Sequence, residues 1–111
     1  MTWIIKFIPK IKRELKKLDK KDSKNILDFL ENEVLLLEDP RTIAIKLKKN
    51  LKEFYKFRVG NFRIIADIQD NQLLILVVRI ANRKDVYKKF KQPAKETKII
   101  SLADLKNKSK K

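Results

Sequence analysis

The sequence predicts an α+β fold of order β-α-α-β-β-β, in which a two-helix hairpin packs on one face of a small, mostly antiparallel sheet. Apolar residues recur at helical spacing in residues 9–39, which indicates two amphipathic helices. Residues 53–68 alternate in polarity around a Gly60-Asn61 pair, which is typical of a two-residue β-hairpin. Residues 73–80, LLILVVRI, are almost entirely apolar and indicate a strand in the middle of the sheet, buried on both faces.

The chain begins with a predicted strand over residues 2–8, followed by the two helices. Pro9 suits the first turn of a helix, because its missing N–H would have no partner there. Asp22 or Ser23 is expected to cap the second helix, which ends before Pro40. The apolar stripes are Ile11, Leu15 and Leu18 in the first helix and Ile26, Leu27, Leu30, Val34 and Leu37 in the second. Both stripes must be buried, and the sheet is the available surface.

The hairpin loop fixes the register of the strands over residues 53–59 and 62–68, so that Arg58 lies opposite Arg63. Because side chains alternate between the faces of a strand, Lys56, Arg58 and Arg63 share one face. The other face is apolar and comprises Tyr55, Phe57, Val59, Phe62, Ile64, Ala66 and Ile68. Like charges directly opposite each other repel, so the two arginines either turn into water or bind an anion between them.

The remaining segments complete the domain and add an extension. Residues 41–52 are a basic connector, and residues 81–90 are a polar turn that brings Arg83 and Tyr87 to the cationic face. Residues 1–90 form the predicted domain, and residues 91–111 form a basic C-terminal extension. We expect this extension to be disordered; the alternative is a short docking helix, capped by Ser101 and carrying Leu102 and Leu105.

The composition limits the chemistry. Lys and Arg number 29 against 14 Asp and Glu, so the net charge of +15 favours a polyanionic partner, either nucleic acid, an anionic membrane or an acidic protein. The chain has no Cys and no His, which excludes thiolate chemistry and the usual general base near neutral pH. The apolar start, TWIIKFI, is too short for a membrane span or a signal peptide, so we expect a cytoplasmic protein without a membrane partner.

The cationic face is suited to a phosphodiester. Guanidinium groups bind phosphate oxygens bidentately, and a tyrosine ring can stack on a base. RNA carries its own nucleophile, the 2′-OH, so an enzyme that cleaves it needs charge stabilisation and proton transfer but no cofactor and no metal. A lysine among other cations loses its proton more readily, which makes Lys56 the candidate general base. Arg63 or Arg83 would stabilise the charge of the transition state.

The predicted order of elements and two segments resemble the RelE/ParE toxin superfamily, and most of all its RelE branch. These segments are LKEFYKFRVGNFRIIADI, residues 51–68, and VVRIANRKDVYKKF, residues 77–90, within a resemblance that covers residues 2–90. The most specific matches are Tyr55-Lys56-Phe57-Arg58, Phe62-Arg63 and Arg83-x-x-x-Tyr87. In that family the first hairpin strand supplies a general-base lysine and a second basic residue, the next strand a phosphate-stabilising arginine, and the last motif an arginine and a base-stacking tyrosine. The resemblance therefore implies catalytic roles for Lys56, Arg58, Arg63, Arg83 and Tyr87.

Two positions differ from many members of the family. Asn82 stands where many relatives have histidine, so relatives that use histidine as the base are poor mechanistic models. Arg58 stands where some have lysine, and because arginine stays protonated near neutral pH, its role narrows to electrostatic stabilisation.

Toxins of the RelE branch are endoribonucleases that cut mRNA in the ribosomal A site, and each is held inactive by a cognate antitoxin. The resemblance implies a metal-independent mRNA endoribonuclease of a type II toxin–antitoxin system. Its partners would be mRNA in the A site of the small ribosomal subunit and an antitoxin, and the basic surface suits an acidic antitoxin that folds on binding. The alternatives are a ParE-like toxin that inhibits DNA gyrase and a non-catalytic RNA-binding or ribosome-binding module.

Overall fold

The computed structural model describes residues 2–88, 90 and 99–107, and it confirms the predicted α+β fold with a two-helix hairpin on a mostly antiparallel sheet. Short 3₁₀ turns lie at Pro40–Ile43, Lys49–Leu51 and Asp70–Gln72. The helices and strands are β1 (Ile4–Phe7), α1 (Ile11–Lys16), α2 (Lys20–Phe29), β2 (Ile45–Lys46), β3 (Tyr55–Val59), β4 (Phe62–Gln69), β5 (Leu74–Asn82), β6 (Ile100–Ser101) and α3 (Leu102–Asn107). Within the described residues, no helix is long and apolar enough to cross a bilayer.

The sheet runs in the order β2-β3-β4-β5-β1-β6. Its strands are antiparallel except for β1 and β5, which pair in parallel with Ile5 beside Ile75. The hairpin register is the predicted one, with Arg58 opposite Arg63. The strand predicted from LLILVVRI is β5, and it lies between β4 and β1 in the middle of the sheet, as expected. A bulge at Val78 interrupts its pairing with β4, because Ile65 pairs with Arg79 and Ala66 with Val77.

The core lies between the sheet and the helices. Alternating residues of β3 and β4 point to this side, and the predicted helix stripes pack against them. Phe57, at the centre, contacts the ring of Phe29 edge-on with centroids 6.2 Å apart. The largest fully buried side chains are Phe7, Phe57, Ile11, Ile26, Leu30, Ile64, Ile65, Ile75, Ile80, Val34, Val77 and Val78.

The predicted cap of α2 was wrong. The residue that precedes the helix is Asp19, since α1 ends at Lys16 and the chain reverses within three residues. Asp22 lies in the first turn instead, where a negative charge is favourable near the positive end of the helix dipole. The hydroxyl of Ser23 donates to the carbonyl of Leu15 at 2.8 Å, which ties α2 to α1. The helix continues as a π-helical turn over Leu30–Val34 and ends before Pro40 as predicted.

Within the C-terminal extension, β6 and α3 include the residues of the predicted docking helix, Ser101, Leu102 and Leu105. Ile100 of β6 pairs with Phe7 of β1, and the backbone N–H of Asp104 donates to the Ser101 hydroxyl at 3.1 Å, so Ser101 caps α3. Leu105 is buried, and burial of apolar side chains provides the free energy that orders this segment. Lys106 forms an ion pair with Glu31, whose hydrogen bond raises the pKa of the lysine. Residues 91–98 and 108–111 lie outside the described residues.

Candidate functional site

The candidate site is the face of the sheet opposite the helices, where the structure brings together the five residues singled out in the sequence. Lys56 and Arg58 project from β3, and Arg63 projects from β4 directly opposite Arg58. Arg58 is exposed, whereas Lys56 and Arg63 are partly buried. Arg83 and Tyr87 lie in the turn that follows β5. We call these five residues the cationic cluster.

The turn over residues 83–88 folds onto this face of the sheet. The backbone N–H of Arg83 donates to the carbonyl of Asn61 at 2.8 Å, which places Arg83 next to the tip of the β3–β4 hairpin. Ile65 lies two positions after Arg63 on β4, so both side chains point to the face away from the helices. Ile65 is nevertheless fully buried, and so is Val86 in the turn. The turn therefore covers the centre of the face and leaves the cationic cluster around its margin.

Asn82 shapes the start of this turn. Its side-chain oxygen accepts from the backbone N–H of Lys84 at 2.9 Å, and its carbonyl accepts from the N–H of Asp85 at 2.8 Å. This arrangement, in which an Asn side chain mimics a backbone turn, is common where a strand ends in a tight reversal. Asn82 thus has a structural role at the position where many members of the resembled family have histidine.

Lys56 and Tyr87 are in direct contact. The Nζ atom of Lys56 lies 5.5 Å from the centroid of the Tyr87 ring, which is within the range of a cation–π interaction. The Tyr87 side chain remains 46% exposed, so ring surface is left for a ligand to stack on. The contact joins the candidate base to the candidate stacking residue across two elements that are 31 positions apart in the sequence.

Arg63 is turned toward the hairpin tip. Its Nη1 donates to the carbonyl of Gly60 at 3.0 Å and to that of Phe62 at 2.9 Å. Gly60 has a φ of +58°, a left-handed conformation that glycine adopts without a steric penalty. Both bonds that Arg63 makes within the described residues come from one nitrogen, so Nε and Nη2 retain donors for an anion.

Sequence reasoning missed Arg79, whose guanidinium holds the turn. Its Nε donates to the Val86 carbonyl at 2.7 Å, and its Nη2 donates to the carbonyls of Asp85 and Lys88 at 3.1 Å each. Its Nη1 pairs with the carboxylate of Glu14 at 3.3 Å. The signal in the sequence is a charge inside an otherwise apolar strand, which requires a buried partner.

A second group of polar contacts, centred on Arg41, lies apart from the cationic cluster. Arg41 binds both carboxylate oxygens of Asp70 at 2.9 Å, and its Nε donates to the Tyr55 hydroxyl at 3.1 Å. The hydrogen bond to Asp70 is the largest cause of the raised pKa of Arg41. Tyr55 belongs to the sequence motif that resembles the toxin superfamily, and here it anchors the connector to the sheet.

The chemistry of the cationic cluster is that of an anion site. Four cations and one phenol ring converge on it, and the carboxylate of Asp85 in the same turn pairs with Lys88 at 3.3 Å. In the part of the chain that the structure describes, no group of three or more acidic side chains could hold a metal ion. The arrangement suits a phosphate group together with a base that stacks on Tyr87.

Known proteins share the fold of this chain. The family model described as "ParE toxin of type II toxin-antitoxin system, parDE" matches residues 5–87. Toxin RelG of Mycobacterium tuberculosis is 22% identical over 89 residues, which are 80% of this chain and 100% of the relative. The RelBE2 toxin–antitoxin complex of M. tuberculosis matches with a TM-score of 0.68 and 19% identity over 75% of this chain and 100% of that chain. A variant of Escherichia coli toxin RelE in the free state gives a TM-score of 0.61 and 23% identity over 76% of this chain and 86% of that chain. All five residues of the cationic cluster fall inside the range that the family model matches.

Proposed function

Because the chain belongs to the ParE toxin family of type II toxin–antitoxin systems, within the RelE/ParE superfamily, we propose that it is an endoribonuclease that cuts mRNA in the ribosomal A site and stops translation. The observation that supports this activity is the contact between Lys56 and Tyr87, with Nζ 5.5 Å from the ring centroid. A base stacked on Tyr87 would bring its own ribose and phosphate next to the candidate general base. Arg58, Arg63 and Arg83, on the same face, are the candidates that would bind the phosphate.

The proposed reaction needs only groups of this chain and of the RNA. Lys56 Nζ accepts the proton of the 2′-OH, and the 2′-oxygen attacks the adjacent phosphorus. The bond from phosphorus to the 5′-oxygen breaks, which leaves a 2′,3′-cyclic phosphate, and the leaving oxygen takes back the proton that Lys56 accepted. Arg58, Arg63 and Arg83 stabilise the additional negative charge of the transition state, and a donor that the bound RNA shields from water contributes about 3 kcal/mol.

We further propose that an antitoxin inhibits the chain by covering this surface or a neighbouring one. The solved relative from M. tuberculosis is described as a toxin–antitoxin complex, and a net charge of +15 favours an acidic partner. Steering between opposite charges accelerates association, and it weakens as salt increases. The proposed partners are thus the antitoxin and mRNA on the ribosome.

The matched family model is that of a ParE toxin, which favours inhibition of DNA gyrase as the second candidate. A protein-binding inhibitor does not need Lys56, Arg58, Arg63, Arg83 and Tyr87 on one face of the sheet. A non-catalytic RNA-binding module, the third candidate, would bind RNA through the same cations and leave it intact.

Primer extension on an mRNA translated in a reconstituted system tests the proposal. We expect cuts at codon-phased positions with the wild type, none without ribosomes, and none with Arg63→Ala. Arg13→Ala is the matched control, because it removes the same charge from the exposed surface of α1. Wild-type protein that leaves the mRNA intact in every lane would refute the nuclease proposal. Inhibition of gyrase in a supercoiling assay on the same preparation would then support the second candidate.

A further inference from the structure

The guanidinium of Arg79 holds the backbone of the turn that carries Arg83 and Tyr87. It donates to three carbonyl groups of that turn, those of Asp85, Val86 and Lys88, at 2.7–3.1 Å. A guanidinium is planar and its N–H groups point in fixed directions, so three such bonds define the position of the turn relative to β5. The acceptor residues lie on both sides of Tyr87 in the sequence, so the three hydrogen bonds fix the backbone around Tyr87.

The guanidinium of Arg79 is itself held in place by the carboxylate of Glu14 on α1. The Oε2 atom of Glu14 lies 3.3 Å from Nη1 of Arg79, and its Oε1 accepts from the backbone N–H of Ile80 at 2.7 Å. The pairing of β1 with β5 ends at Val77, so Glu14 occupies the edge of β5 beyond the end of β1. The two side chains are 16% exposed for Arg79 and 14% for Glu14, so the pair is shielded from water.

We propose that Arg79, supported by Glu14, is a positioning residue that places the Tyr87 ring on Lys56 and so aligns the base, the ribose and the candidate general base. The proposal rests on the proposed nuclease function. The link runs through Val86, which is fully buried beside Tyr87 and gives its carbonyl to Arg79. Without the guanidinium, the carbonyl of the buried Val86 would lose its donor, and the turn would shift until another donor or water reaches it. A displacement of about 1 Å at a reacting group costs roughly 10²-fold in rate.

Arg41 provides a matched control. It is also a partly buried arginine that binds a carboxylate and a backbone carbonyl, those of Asp70 and Ile68. Its acceptors are the Tyr55 hydroxyl on β3 and groups at the other end of β4 and in the neighbouring turn, and none of these belongs to the turn over residues 83–88. Arg41→Met thus removes comparable structural contacts while the support of Tyr87 is kept.

The test compares wild type, Arg79→Met, Arg79→Lys, Glu14→Gln and Arg41→Met in two assays. The first is the single-turnover rate of mRNA cleavage on ribosomes at saturating protein. The second is the NMR shift of the Tyr87 ring in ¹³C-tyrosine protein, with the signal assigned through Tyr87→Phe. For Arg79→Met we expect a rate about 10²-fold lower, with apparent affinity for the programmed ribosome changed by less than about threefold. Arg79→Lys should recover part of the rate, because an ammonium group still donates to carbonyls.

The two assays separate the outcomes. An unchanged Tyr87 signal and rate in Arg79→Met would overturn the proposal, and so would an equal loss of rate in Arg41→Met. If Arg79→Met does not fold, Arg79→Lys and Glu14→Gln provide the same comparison with smaller changes. If the wild type cuts no RNA, the nuclease function fails. In that case the NMR signal of Tyr87 alone tests the positioning role. A change of its chemical shift in the Arg79 and Glu14 variants, but not in Arg41→Met, supports this role, and an unchanged shift overturns it.

Discussion

Replacing Arg58 with glutamine should make the fold more stable and the proposed enzyme less active. Arg58 and Arg63 are direct partners across the β3–β4 hairpin, and like charges in that position are destabilising. The side chain of Arg58 is exposed, so its removal leaves no cavity in the core. A gain in stability from the loss of a single side chain would show that its placement serves function rather than folding.

The magnitude follows from the geometry of the pair. Cross-strand pairs contribute about 0.2–1 kcal/mol, and the charge of Arg63 is partly compensated by its hydrogen bonds to the Gly60 and Phe62 carbonyls. We therefore expect a gain near the middle of that range, about 0.5 kcal/mol, in the free energy of unfolding. With an m value of about 1.5 kcal/mol/M, the urea midpoint should rise by about 0.3 M.

Salt and a control variant isolate the cause. Arg13→Gln lowers the net charge equally from the surface of α1, so any stability that Arg58→Gln gains beyond it comes from the local pair. The screening length falls from about 10 Å at 0.1 M salt to about 3 Å at 1 M, so the difference should largely vanish at 1 M. Urea unfolding of both variants at low and high salt measures this. If Arg58→Gln is no more stable than Arg13→Gln at low salt, the repulsion argument fails.

Three further predictions concern the core, the stacking ring and the extension. Phe57→Ala removes a fully buried ring and should lower the free energy of unfolding by about 3–5 kcal/mol; a loss below about 1 kcal/mol in urea would contradict the described core. Tyr87→Ala should weaken the binding of single-stranded RNA by about 10-fold to 100-fold in fluorescence anisotropy at fixed salt, whereas Tyr87→Phe keeps the ring and the affinity. Equal losses in the two variants would refute a stacking role. Leu105→Ala should cost about 2 kcal/mol and expose the amides of β1 to hydrogen exchange, and unchanged protection there would contradict the docking of α3.

The parts of the fold that the sequence predicted are those set by local rules. The two-residue loop at Gly60-Asn61 determined the register of β3 and β4, and with it the pairing of Arg58 with Arg63. The uninterrupted apolar run of β5 predicted its central position, because a strand covered on both sides needs no polar face. The spacing of apolar residues likewise predicted both helices to within a few positions.

The parts that were missed depend on contacts between distant segments. The parallel direction of the pairing between β1 and β5 was not predicted, because it joins residues about 70 positions apart and no local pattern encodes it. The cap of α2 was misplaced because Asp19, Asp22 and Ser23 all have suitable side chains, and the length of α1 decided among them. The role of Arg79 was missed because its acceptors, backbone carbonyls of the turn over residues 83–88, come near it only in the folded chain.

The cationic cluster and the core occupy opposite faces of the same two strands, and this explains how the fold tolerates the cluster. Residues that face the helices from β3 and β4, Phe57 and Ile64, are fully buried and would each cost several kcal/mol to truncate, about 2–5 kcal/mol. The arginine pair opposes folding by at most about 1 kcal/mol. The hairpin register that buries the first pair also sets the arginines opposite each other, and a slip of one residue would relieve the repulsion only by moving Phe57 to the solvent side. The stability of the core therefore holds in place a charge arrangement that the hairpin alone would not adopt.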